Sequence, residues 1–131
     1  MRFMLIAKAD ENSEAGGPPN PQLIAAIGKL ADEMTRAGVL VGTGGLGPSS
    51  KGARVRLSGG KLTVIDGPFT EAKELIGGYA IVEVSSKDEA IELAKRFLQI
   101  HAEILGPSYE TESEIRQFFE APDFDHGAKK P

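Results

Sequence analysis

Asp66-Gly67-Pro68-Phe69-Thr70-Glu71-Ala72-Lys73-Glu74 runs directly into Leu75-Ile76-Gly77-Gly78-Tyr79. A carboxylate closes an apolar run, Gly-Pro forces a turn that should hold Phe69 against the core, and Thr70 can cap a one-turn helix ending at Glu74. The diglycine then opens a strand over Tyr79 to Val84. Upstream, Ala53 to Asp66 alternates about Gly59-Gly60, a two-residue hairpin signal because both glycines must take positive φ. A register closed at that turn pairs Leu57 with Leu62, Val55 with Val64 and Ala53 with Asp66 on one face. Arg54, Arg56, Lys61 and Thr63 go to the other face, which is expected to be the wetter one.

Working outward, Phe3 to Ala7 is a short run apolar at every position, the pattern of a strand buried on both faces. Asn20 can cap a helix with Pro21 at its first position and Gly38 just past its end; Leu23, Ile24, Ile27, Leu30, Ala31 and Met34 keep helical spacing. Val39-Leu40-Val41 gives a second strand that is expected to dissolve into Gly42 to Gly52. Ser86 and Glu89 form a capping-box pattern opening a helix to about Leu105, stopped by Gly106-Pro107, and Ile115 to Phe119 is the last strand. With the hairpin set aside as an insertion, the order is strand, helix, strand, strand, helix, strand. That is the split β-α-β order of the ferredoxin-like α+β fold. Residues 1–121 are expected to form one domain and residues 122–131 a polar tail. Two substantial helices cover only one face of such a sheet. The apolar second face needs a cover, and a second copy of the chain in a homodimer is the simplest one.

A chain of 131 residues is one domain. Its net charge of -4, with no basic run longer than Lys129-Lys130, lacks the electrostatic footprint of nucleic-acid binding. No cysteine is present, which excludes disulfides and thiolate chemistry. Lys8 and Asp10 interrupt the apolar start too soon for a membrane span or signal segment, so a soluble cytoplasmic protein is expected.

Gly42-Thr43-Gly44-Gly45-Leu46-Gly47 matches G-x-G-x-x-G after a strand, but Pro48 and a hairpin follow where a dinucleotide site requires a helix N-terminus. A flexible connection is the expected role. Asp66 is the leading candidate for chemistry: it ends the Leu62 and Val64 column opposite Ala53, where a partly desolvated carboxylate can serve as a base or polar anchor. The plain alternative is a turn residue accepting a backbone hydrogen bond two residues on. His101 interrupts the apolar stripe of the second helix, either as an acid or base or as a core histidine bonded to a carbonyl. Lys73, Tyr79 and Arg116 are candidate ligand-binding groups, the last as an anion-binding fork. Asp66 with Glu71 and Glu74 would need to converge to hold a cation, and a solvated charged turn is the commoner outcome, so no metal is expected.

The stretch Val64 to Glu74 with Gly77-Gly78-Tyr79, together with Phe97-Leu98-Gln99-Ile100-His101 and Glu114-Ile115-Arg116-Gln117-Phe118-Phe119-Glu120, resembles the YCII-related domain family in its Asp-Gly-Pro-Phe branch. The resemblance implies a dimeric α+β barrel with pockets near the interface between sheets. Other branches carry a His near the start of the first helix and an Asp after the second strand; residues 20–28 here hold no His and 42–52 no Asp, so that dyad is not carried over. The resemblance names no substrate or cofactor. It leaves two classes: a small-molecule binder or enzyme using Asp66, or a non-catalytic interaction or regulatory protein associated with an alternative sigma factor.

Overall fold

Asn20 begins the first long helix by accepting the N–H groups of Gln22 at 2.9 Å and Leu23 at 3.1 Å through its side-chain oxygen, with Pro21 at the first helical position. The computed structural model describes residues 1–70 and 74–120. Over these the chain forms β1 (Arg2–Lys8), the single turn α1 (Glu11–Glu14), α2 (Pro21–Arg36), β2 (Leu40–Gly45), β3 (Ala53–Ser58), β4 (Lys61–Asp66), β5 (Ile76–Glu83), α3 (Lys87–Leu105) and β6 (Ser113–Gln117). Helix α2 ends before Gly38, whose φ of 72° only glycine adopts cheaply. Ser86 caps α3 by accepting the Glu89 N–H at 3.1 Å, but the expected reciprocal bond is not made. Glu89 turns instead to the N–H and hydroxyl of Ser85.

The main sheet has the order β2-β5-β1-β6, every pair antiparallel, and this mixed α+β arrangement is consistent with a ferredoxin-like fold. Strands β3 and β4 form a separate two-stranded sheet lying in sequence between β2 and β5. Three boundaries differ from expectation. β2 does not dissolve at Gly42, because Gly42, Gly44 and Gly45 all find partners on β5. β5 starts at Ile76, before the diglycine, and β6 runs over 113–117. Residues 71–73 of the one-turn helix expected from Thr70 to Glu74, and the whole of the tail expected over 122–131, lie outside the described residues.

Phe3, Leu5 and Val82 face the helices and form the core with Leu30, Met34, Val84 and Ala90. Neither Phe3 nor Val82 meets appreciable solvent. Alternation sends Met4, Ile6, Tyr79 and Ile81 to the opposite face of the sheet. Around that face lie the ion pairs Arg2–Glu83 (3.1 Å) and Lys8–Glu114 (3.3 Å). No described helix is long and apolar enough to cross a membrane.

The hairpin keeps the register read from the sequence, Leu57 opposite Leu62 and Val55 opposite Val64. Arg54, Arg56, Lys61 and Thr63 are exposed as expected, but the apolar face is wet as well. Val55, Leu57, Leu62 and Val64 are 66–73% exposed, while on the other face Ile65 is half-buried and Arg54 stacks over the Phe69 ring at 3.8 Å. The turn after Asp66 brings Phe69 beneath Arg54, the one contact made by the basic side, and leaves both faces largely open to water.

Candidate functional site

Cross-strand register fixes which side chains stand in line beneath the helices. One row reads Phe3–Val82–Leu40, the next Ile115–Leu5–Ala80–Thr43, and the next Ser113–Ala7–Gly78–Gly45. Side-chain volume therefore falls almost to nothing toward one end of the sheet. Helices α2 and α3 do not close the gap, and a cavity of about 340 Å3 remains, walled on the sheet side by the small-residue row and on the helix side by Ile27, Leu30, Leu93, Ala94 and Phe97. Its size and apolar lining are those of a small-molecule pocket. The polar exceptions are few: the Thr43 hydroxyl already donates to the Tyr79 carbonyl at 2.8 Å, whereas the Ser113 hydroxyl has no hydrogen-bond partner among the described residues.

Two of these glycines differ in why they are there. A β-carbon on Gly78 would come 2.9 Å from the Gly44 carbonyl oxygen, so close strand approach requires glycine. At Gly45 a β-carbon would meet nothing within 4 Å. It would point into open space.

The turn after Asp66 is pinned from the far side of its loop. Gly67 donates its N–H to Gly52 O at 3.0 Å, and Phe69 donates its N–H to Ser49 Oγ at 2.9 Å. Ser49 in turn donates its N–H to Glu14 Oε1 at 2.7 Å and its hydroxyl to Glu14 Oε2. Asp66 takes no part. The bond two residues on is impossible because residue 68 is proline, and among the described residues the exposed Asp66 carboxylate makes no hydrogen bond or ion pair.

His101 is half-buried on α3. Its Nδ1 lies 2.9 Å from the Phe97 carbonyl, which can only accept, so Nδ1 carries a proton. The ring packs on Phe97 at 4.6 Å and on Tyr109 at 6.0 Å. Tyr109 donates its hydroxyl to Asp10 Oδ2 at 2.9 Å, and Asp10 Oδ1 accepts the Ser13 N–H at 2.8 Å as the cap of α1. Burial and the neighbouring Asp10 carboxylate push the Tyr109 hydroxyl from 10.0 up to about 12. Burial alone would raise the Asp10 carboxyl, but hydrogen bonds from the Ser13 backbone and the Tyr109 and Ser13 hydroxyls, aided by nearby His101, hold it below its usual 3.8.

Among the candidates read from the sequence, Tyr79 belongs to the cavity wall, although its ring lies across Gly44 on the opposite face of the sheet. His101 does not wall the cavity itself but packs on Phe97, which does. Asp66 and Arg116 do not wall the cavity, and Arg116 is exposed and paired with Glu114 at 3.1 Å. Lys73 lies outside the described residues. The sequence reading missed Ser113, Gly45, Ser49, Glu14 and the Asp10–Tyr109 pair; only the recurrence of small residues at strand ends hinted at the first two.

A family model described as the YCII-related domain matches residues 1–104. The chain is also 39% identical over 97 residues, 72% of its own length and 78% of the relative's, to a protein of Rhizobium meliloti (strain 1021) described as uncharacterized. With most of its length covered by both comparisons, this chain belongs to the YCII-related domain family.

Proposed function

We propose that the chain binds a small, mainly apolar molecule in the cavity between the sheet and its two long helices. The observation that carries this is the row Ser113–Ala7–Gly78–Gly45, which keeps volume off four adjacent strands at once. A core meant only for stability would fill that space, since interiors pack to crystal-like density. Ser113 offers the bound molecule one hydroxyl partner. Binding is better supported than turnover, because the helix-side wall holds no titratable side chain. A role for Asp66 as base or anchor would require the molecule to extend well beyond these walls. The same reading includes a homodimer in which the sheet face bearing Met4, Ile6, Tyr79 and Ile81 meets its counterpart as a dimeric α+β barrel.

The test is a thermal-shift screen of small apolar compounds against wild type and Gly45→Leu. Leucine there enters open space, so the variant should be at least as stable as wild type while losing the shift produced by any cavity ligand. A ligand that shifts both proteins equally binds elsewhere.

A second reading, an interaction protein, draws on the exposed apolar face of the hairpin.

A further inference from the structure

The row Ser113–Ala7–Gly78–Gly45 that floors the cavity differs at its two ends. On edge strand β2, Thr43 and Gly45 are exposed, so the cavity opens to solvent there. At the β6 end the segments leaving the sheet are tied together. Asp10 and Tyr109 lie a few residues beyond the paired Ala7 and Ser113, and the Tyr109 hydroxyl donates to Asp10 Oδ2 at 2.9 Å. The His101 ring of α3 stacks on Tyr109 and packs on Phe97 of the cavity wall.

Polarity is as uneven as closure. The described residues that wall the cavity include no Lys, Arg or His, and the Thr43 hydroxyl at the open end is already committed to the Tyr79 carbonyl. The Ser113 hydroxyl, half-buried at the tied end, is left to donate or accept. Hydrocarbon laid against it would leave it without a partner, whereas a neutral polar group set there restores a hydrogen bond. A carboxylate carried to the same place would meet no cation and lose most of its hydration. Between the ends, Ala7 and Gly78 offer only a low apolar floor. Neighbouring strands stand about 4.8 Å apart, so a row crossing four of them is about 14 Å long. A molecule that fills it is elongated.

We propose that the cavity takes a neutral, elongated molecule with a hydrogen-bonding group at one end, bound in a single direction. Its hydroxyl or carbonyl end bonds Ser113 at the tied end, its apolar body crosses Ala7 and Gly78, and its tail reaches the open end over Gly45. The proposal rests on the cavity reading given above and adds the ligand class and the residue that selects it. Ser113 is then the specificity-determining side chain, and Gly45 sets how long a tail is accepted.

The test is titration calorimetry with the linear primary alcohols from butanol to decanol, with octanoate and with octyl chloride. Octanol should bind wild type at least about tenfold more tightly than octanoate at neutral pH. Ser113→Ala should weaken octanol about five- to tenfold, the loss of one hydrogen bond, and leave octyl chloride unchanged. Gly45→Ala adds a methyl group at the open end alone, so it should weaken decanol and spare butanol. Octanol binding that persists in Gly45→Leu overturns the cavity reading and the direction together. Octanol binding that is lost in Gly45→Leu but is matched by octanoate, or is untouched by Ser113→Ala, overturns the direction and leaves the cavity reading standing. No binding by any of the alcohols overturns the ligand class, while the wider compound screen still decides the cavity.

Discussion

The carbonyl oxygen of Ser49 occupies the place that a β-carbon on Gly67 would need. Gly67 does not have positive φ, so glycine is required here by a close approach and not by backbone conformation. The obstructing atom is main chain, which cannot swing aside as a side chain would. Gly67→Ala should therefore cost at least about 3 kcal/mol in chemical denaturation. Gly52→Ala, whose β-carbon would sit at an ordinary 3.5 Å from the same oxygen, should cost less than about 1 kcal/mol. Equal losses in the two variants would remove the close approach as the reason for Gly67.

Phe69 is half-buried beneath Arg54 and not sealed in the core as its sequence context led us to expect. Phe69→Ala should cost about 1–2 kcal/mol, below the 3–5 of a fully buried ring. A double-mutant cycle with Arg54→Ala should return a coupling of about 0.5–1 kcal/mol, the worth of a cation–π contact at a largely exposed site. No coupling would mean that the stacking is incidental.

Local chemistry made much of this fold legible. Gly59-Gly60 fixed one hairpin register, Asn20-Pro21 one helix start, and the order of apolar runs the strand sequence, because each depends on neighbours a few residues away. The cavity was not legible in the same way. It exists only because Ser113, Ala7, Gly78 and Gly45, spread over more than a hundred positions, fall into one row once the sheet assembles. The Asp10–Tyr109 bond joins residues 99 apart and left no periodic trace. For the hairpin, the pattern separated an apolar from a basic face, but it could not show that both would stay exposed, which depends on how little of the rest of the fold reaches the hairpin beyond Phe69 under Arg54.

The Asp10–Tyr109 bond should give stability a defined pH window. Asp10 has a depressed pKa, so its contribution is present above its usual 3.8 and is lost as pH falls through the lower folded value. Tyr109 has a raised pKa, so its contribution is present below 10.0 and is lost as pH rises toward about 12. Both groups are only half-buried, and solvent screening keeps the effect small. Tyr109→Phe should cost about 1 kcal/mol between pH 5 and 8 in denaturation experiments, with the gap to wild type narrowing below about pH 4. A gap that persists unchanged into strong acid would show that the variant acts through packing alone.

Asp66 is the residue whose substitution best separates a pocket in the sheet–helix cavity from one built on the turn. Its carboxylate is exposed, has no hydrogen-bond or ionic partner among the described residues, and shares its face with Val55 and Val64 and not with the cavity wall. Asp66→Asn should therefore change folding stability by less than about 0.5 kcal/mol. A ligand lost in Gly45→Leu should bind Asp66→Asn with wild-type affinity, because the near-isosteric amide lies off the walls. Calorimetric titration of the three proteins with that ligand measures this directly. Loss of binding in Asp66→Asn with folding intact would place the carboxylate on the ligand, and the pocket would then have to reach from the small-residue row to the base of the hairpin.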